Sequence, residues 1–184
     1  MMKTILLFLL LTCSMATFAQ RGTHGGSDNK VDVGSIIANL GLGVGADYGN
    51  AYYNSAFGTK ASLEFGLWEA GPGVITLGGE LGGSWSDGGY YTDYKAHTFV
   101  VAARSAWHCG LNVPNLDVYG GISLGLGFRH QTYDNNGPQT NNDVVPAPGI
   151  FVGASYYVTP NFGFNAEAGY DITNIQVGVV FKLN

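Results

Sequence analysis

The sequence predicts an all-β protein, an eight-stranded antiparallel up-and-down transmembrane β-barrel. Three observations predict it. Segments of about ten residues alternate between apolar and polar side chains, separated by turn residues, and no helical period lasts. Charged residues make up only 11% of the 184-residue chain and glycines number 29, against average shares of roughly 25% and roughly 7%. The polar face of the segments consists mainly of Gly, Ser and Asn with isolated charges, where a water-wetted face would carry many Lys and Glu.

The chain opens on a targeting segment. Lys3 supplies a positive end, Ile5 to Leu11 an unbroken apolar run, and Thr17-Phe18-Ala19 a small-residue cleavage site before Gln20. The run is far short of the roughly 20 apolar residues a spanning helix needs. The expected organisation is therefore a signal peptide over 1–19, cleaved after Ala19, a flexible leader over 20–31 and a barrel over 32–184. A lipoprotein box at Leu10-Leu11-Thr12-Cys13 is the weaker alternative, because Thr12 fits poorly before the cysteine and the apolar run would be very short. Loss of Lys3 takes the formal charge from −5 to −6, and such mild acidity argues against nucleic acid, which needs a basic patch. Cleavage also leaves Cys109 alone, so it is read as an inert thiol at a strand end.

Eight strands follow in order: Ser35–Tyr48, Thr59–Trp68, Val74–Trp85, Lys95–His108, Leu116–Thr132, Pro146–Val158, Phe162–Tyr170 and Asn174–Leu183. The first sets Ile36, Ala38, Leu40, Leu42, Val44 and Ala46 against Ser35, Ile37, Asn39, three glycines and Asp47. The second sets Ala61, Leu63, Phe65 and Leu67 against Lys60, Ser62 and Glu64, and the third Ile75, Leu77, Leu81 and Trp85 against Thr76, Glu80 and Ser84. In the fifth, Val118, Ile122, Leu124, Leu126 and Phe128 oppose Tyr119, Ser123, Arg129 and Gln131. The eighth sets Ile175, Val177, Val179, Phe181 and Leu183 against Asn174, Gln176 and Lys182.

Alternation alone does not say which face is inside. The charges of the polar face nearly balance: Glu64, Glu80 and Glu167 against Lys60, Arg104, Arg129 and Lys182. Such a set suits a narrow lumen in which carboxylates and cations pair, since unpaired buried charge is very costly. The apolar face then meets lipid. Outward aromatics agree: Tyr48, Phe57, Trp85, Phe99, Phe128 and Tyr170 fall at one interface, and Trp107, Tyr156, Phe162 and Phe181 near the other.

Connection lengths supply an independent signal. With the N-terminus in the periplasm, the outward connections include the long polar Gly49–Ala56, Ser86–Tyr94 and Tyr133–Val145; the inward ones include the tight Glu69–Gly73 and Thr159–Asn161. The short turn at Asp171 and the longer Cys109–Asn115 fit this rule less well. Eight strands is an even number that lets the sheet close, so that every backbone group finds a partner in lipid. At this size the interior is just filled by side chains.

The last strand carries the most specific motif. Gln176 through Leu183 resembles the C-terminal β-signal read by the outer-membrane assembly machinery, with Gln176, Gly178, Phe181 and Leu183 at its defining positions, although Asn184 follows where many such proteins end on the aromatic. Tyr156 to Gly163, with Ala166 to Tyr170, is similar to the last hairpin of small outer-membrane β-barrel or porin-family proteins of the Bacteroidetes type, in the style of the OmpA membrane domain, OmpX and OmpW. The resemblance implies a place in the bacterial outer membrane, contacts with its lipid and lipopolysaccharide, and a ligand held by the external loops. It implies no cofactor.

Chemistry is weakly signalled. Lipid A deacylases of the barrel type use a His-x-Ser pair with a carboxylate; here His130-Gln131-Thr132 offers threonine, with no outward carboxylate evident. His97 lies on the lipid face, His108 beside Cys109, and one His-Cys pair is not a zinc site. The Asn-rich stretch Asn135, Asn136, Asn141, Asn142 and Asp143 reads as turn chemistry before it reads as calcium ligands. The expected function is non-enzymatic: a structural or surface-interaction barrel, aided by Tyr52, Tyr53, Tyr90, Tyr91 and Tyr94 in its loops, its lumen plugged by paired charges. The alternatives are an OmpW-like conduit for small hydrophobic molecules and, last, a lipid-modifying enzyme.

Overall fold

A computed structural model describes residues 30–45, 56–87, 94–111, 113–134 and 138–183. The signal segment, most of the leader, Tyr52, Tyr53, Tyr90, Tyr91, Asn135 and Asn136 lie outside the described residues. Eight strands run β1 (Ile36–Gly45), β2 (Ala56–Ala70), β3 (Gly73–Asp87), β4 (Tyr94–Gly110), β5 (Leu116–Asp134), β6 (Pro138–Tyr157), β7 (Phe162–Tyr170) and β8 (Thr173–Lys182). Each pairs antiparallel with its neighbour in the chain, and β8 returns to β1 to close the barrel.

The burial pattern is inverted relative to a water-soluble protein. Leu124 on β5 is 69% exposed and Val177 on β8 is 64% exposed, while Arg104, Glu64 and Asp171 are at most 1% exposed. Apolar side chains that stand outward in a continuous wall must meet an apolar solvent, and polar side chains fill the inside. The outward Ser105 hydroxyl donates to the Thr76 carbonyl at 2.7 Å, as a hydroxyl facing hydrocarbon requires. Trp107 stands outward at the level of the β2–β3 turn and donates from its indole to the Ala70 carbonyl at 3.0 Å. In that turn Gly71 takes φ +62°, a conformation that favours glycine. From Phe99 to Trp107 the wall spans about 26 Å along β4, or about 20 Å along the axis at the usual tilt.

Four expectations need correction. The polar stretch Tyr133–Val145 is not a long loop: β5 and β6 stay paired from Leu116–Tyr156 out to Asp134–Pro138. Beyond the membrane both faces are wetted, so no apolar alternation marks the strand there. The Asn141, Asn142 and Asp143 side chains consequently sit on a strand. Asn174 is exposed, not inward, because the register shifts between Val44 and Gly45 and makes it the extra residue of a bulge. A second irregularity at Gly66–Trp68 leaves both Leu67 and Trp68 on the outside.

The fourth correction concerns the β7–β8 turn. It does not project outward; Asp171, Ile172 and Thr173 are at most 3% exposed. Ile172 packs with Val100, Ala102 and Ala147 inside the barrel. Glycines clear the space: a Cβ on Gly82 would stand 2.3 Å from the Thr59 carbonyl oxygen and 3.0 Å from Ile172 Cγ2, and one on Gly58 2.7 Å from Thr173 Cγ2. At the opposite end Val31, 1% exposed, packs with Ile37, Val74, Tyr157 and Val180. Gly34 donates to the Gly66 carbonyl and Gly66 to that of Ser35, both at 2.8 Å, so residues 31–35 fold across the mouth that carries the termini.

Gly82→Ala is expected to lower unfolding stability by about 1–3 kcal/mol through overpacking. Gly79→Ala, whose Cβ would meet nothing closer than 3.5 Å, is expected to stay within about 0.5 kcal/mol. Urea titration of the refolded protein followed by gel mobility checks both.

Candidate functional site

The densest chemistry lies in the lumen, where strand alternation turns Lys60 and Glu64 of β2, Glu80 of β3, Arg104 of β4, Tyr119 of β5 and Glu167 of β7 toward one another. Arg104 is the centre. Its Nε donates to Glu64 Oε1 at 2.7 Å, one terminal nitrogen to Glu80 Oε2 at 3.1 Å, and the other to Glu167 Oε2 at 2.7 Å. All four side chains are at most 4% exposed. The guanidinium carbon lies 3.6 Å from the centroid of the Phe151 ring, so its edges meet carboxylates while its face meets an aromatic cloud.

Lys60 forms the second node. It bonds Glu167, and Asp171 Oδ2 at 2.6 Å, with Glu80 Oε2 at 3.8 Å. Glu167 is thus held by both cations and by the Tyr119 hydroxyl, which donates at 3.2 Å. Glu64 also accepts from Thr76 Oγ1. A satellite pair lies toward the termini: His108 Nδ1 is 2.7 Å from Asp117 Oδ2, and its ring stacks on Tyr119 at 4.9 Å. With each partner holding several others, loss of one leaves charge stranded in a low-dielectric interior.

Five of the seven charges anticipated from the strand faces meet here: Lys60, Glu64, Glu80, Arg104 and Glu167. Two do not. Arg129 lies toward the far end, with Asp143 at 3.7 Å. It stands six residues along β5 from Ser123, the register partner of Arg104, which is about 20 Å of strand. Lys182 lies at the termini end, where its Nζ donates to the Lys30 carbonyl at 3.0 Å and stands 3.9 Å from Asp32. Sharing a face does not mean sharing a height. Asp171 went unread because a turn aspartate carries no periodic signal; the shortness of its connection was the one available hint.

The motif residues of the last strand take distinct positions. Gln176 points inward and accepts from Thr173 Oγ1 at 2.9 Å. Gly178 faces Gly41 across the seam. Phe181 is outward, with its ring centroid 5.2 Å from that of Phe162. Leu183 is exposed and its N–H donates to the Ile36 carbonyl at 2.9 Å. Of the histidines, His130 is outward with Asn142 Oδ1 at 2.6 Å from its Nδ1, and His97 is its register partner. Among the described residues no group of three His, Cys, Asp or Glu side chains is arranged to hold a metal ion.

No protein-family model matches the chain. No curated protein matches it either. Solved structures do. Neisserial surface protein A is 15% identical, with 83% of this chain and 98% of that one covered at a TM-score of 0.50. The Yersinia pestis outer membrane protein Ail in a phospholipid bilayer nanodisc is 13% identical, with 82% and 99% covered at a TM-score of 0.50. The fold is that of small outer-membrane β-barrels. At these identities the likeness carries the architecture alone, and the lumen of this barrel must be read from its own residues.

Arg104→Ala is expected to destabilise the barrel by about 3–5 kcal/mol, because Glu64, Glu80 and Glu167 lose a shared buried partner. Glu80→Ala is expected to act in the same direction. Neither opens a large conductance, since Phe151, Tyr119 and Ile172 still occupy the lumen. Urea unfolding in liposomes and single-channel recording check the two halves; a several-fold conductance rise at unchanged stability would refute this account.

Proposed function

We propose that the chain is a non-enzymatic bacterial outer-membrane barrel whose role is played at the cell surface. Its termini lie in the periplasm, its lumen is a rigid stopper, and the projecting end of the β4–β5–β6 sheet presents the interaction surface. The observation that carries this reading is the combination of a filled interior with a hairpin that outgrows the membrane. The interior is occupied at three heights, by Val31, by the Arg104 and Lys60 ion pairs, and by Ile172. β5 continues six residues past Phe128 to Asp134, still paired with β6, which adds about 20 Å of strand beyond the row of Phe99 and Phe128.

A surface protein needs a rigid display, and a long two-sided polar hairpin on a closed barrel provides one. Pro138, Pro146 and Pro148 lie on β6 where β7 no longer pairs with it, since the β6–β7 register begins at Ile150. Proline offers no donor and suits an edge that must not recruit stray strands. The transport reading needs an open path, and the paired charges stand in its way. The deacylase reading needs a carboxylate beside His130, whose partner is the amide of Asn142.

The final strand, with Gln176, Gly178, Phe181 and Leu183, is read as the signal taken by the assembly machinery. The wall above it is the surface offered to outer-membrane lipid and lipopolysaccharide. Residues 1–19 are read as the cleaved signal peptide.

Two measurements test this. Outer-membrane fractionation with heat-shifted gel mobility is expected to place the mature chain in the outer membrane as a folded barrel; a soluble periplasmic protein with no shift would sink the reading. Replacing 133–139 by a two-residue turn is expected to keep that shift while abolishing attachment of expressing cells to surfaces. Attachment that survives in full, or lipid A altered in mass by expression, would refute the surface role.

A further inference from the structure

The outer wall changes polarity one register row at a time across β3, β4, β5 and β6. Leu81, Val101, Leu126 and Pro146 form a hydrocarbon row; Gly83, Phe99, Phe128 and Val144 form the next; Trp85, His97, His130 and Asn142 follow; and Lys95, Thr132 and Thr140 come last. Hydrocarbon ends between the second and third rows, where Phe99 and Phe128, both 49% exposed, give way to imidazoles. Lys95, His97, His130 and Asn142 are all exposed on the outside of the wall. They therefore stand at headgroup height and face the lipid, on the side away from the lumen.

The donors of this cluster are oriented. Asn142 Oδ1 lies 2.6 Å from His130 Nδ1, and an amide oxygen only accepts, so Nδ1 carries the proton. That bond orients the imidazole, and Asn142 Nδ2 stands beside it as a donor with no partner among the described residues. His97, the cross-strand partner of His130, supplies a second imidazole and Lys95 an ammonium one row further out. Asp87 is the backbone register partner of Lys95. Asp143 is on the adjacent position of β6 and stands 3.7 Å from Arg129. One ammonium, two imidazoles and an amide over an apolar wall match an anion whose remainder is hydrocarbon.

We propose that Lys95, His97, His130 and Asn142 bind the phosphate monoester of a lipid headgroup in the leaflet at the hairpin end. The acyl chains of that lipid lie along Val101, Leu126 and Val144. The assignment rests on the membrane reading above and adds to it a defined lipid site. A free phosphate would have no use for the apolar rows beneath, and an uncharged lipid would have none for the ammonium and the imidazole and amide donors above. The site also accounts for Lys95, His97 and His130 standing together on two adjacent strands within two rows of the outer wall.

The test uses the full mature chain in phosphatidylcholine nanodiscs doped with either diphosphorylated lipid A or the same lipid freed of phosphate. Lipid retention is read by native mass spectrometry, and heat-shifted mobility reports folding in every sample. The wild type is expected to retain the phosphorylated lipid about ten-fold better than the dephosphorylated one. Lys95→Ala/His97→Ala/His130→Ala is expected to lose that preference while keeping the mobility shift, and Lys95→Ala alone to lose part of it. Equal retention of both lipids by the wild type, or an undiminished preference in the folded triple variant, would overturn the site and leave the barrel reading standing. Failure of the wild type to enter nanodiscs at all would overturn both.

Discussion

Closure of the sheet is the constraint from which the rest of the structure follows. A backbone N–H or C=O facing hydrocarbon has no water to turn to, so β8 must find β1. It does so over nine register pairs from Ile37–Lys182 to Gly45–Thr173. Gly41 and Gly178 face one another across that seam, and a Cβ on Gly178 would stand 2.2 Å from the Leu40 carbonyl oxygen. The tight curvature of an eight-stranded ring leaves an interior only as wide as a few side chains. Whatever points inward must then fit, and whatever is charged must find its opposite within reach. The Arg104 cluster, the inward fold of the β7–β8 turn and the glycines that make room for it are consequences of the same small circumference.

The sequence made the wall legible and the interior only half so. Alternation between Leu, Val or Phe and Ser, Gly or Glu is a property of neighbouring residues, so the two faces of β2, β3, β5 and β8 could be separated before any fold was known. The charges on the inner face could be named for the same reason. Their heights could not, because height depends on the stagger between strands, which no single segment records. That is why Arg129 and Lys182 were grouped with Arg104 although one lies near each end. Asp171 and Ile172 were hidden differently: a short polar turn looks the same whether it points into solvent or into a lumen. The outer part of β6, ahead of Pro146, does not read as strand because no apolar alternation runs through it, which removes the pattern by which a strand is recognised.

The two closures at the ends of the barrel are of unlike kinds. Residues 31–35 seal the termini end with backbone bonds to Gly66 and an apolar plug at Val31, and Lys182 is tied to the same segment through the Lys30 carbonyl. At the other end Ile172 fills the lumen and Asp171 is drawn inward by Lys60. The ion pairs lie between two apolar stoppers. Shielding from water on both sides strengthens each pair and raises the cost of leaving any one charge alone.

A cluster of buried charges is an odd way to fill a barrel, since apolar residues of equal volume often do as well or better for stability. The strands themselves suggest what the charges do. A slip of one residue in any strand pairing exchanges the inner and outer faces. With an apolar interior that exchange would cost little, because both faces would suit lipid. With Lys60, Glu64, Glu80, Arg104 and Glu167 inside, a slip of β2, β3, β4 or β7 would turn an ionised side chain into hydrocarbon, at about 2–4 kcal/mol for each cation near the midplane. It would also leave its partners unpaired in the lumen. The native register is the arrangement in which every one of these groups is answered, so the network that stops the lumen also fixes which face of each strand is in and which is out.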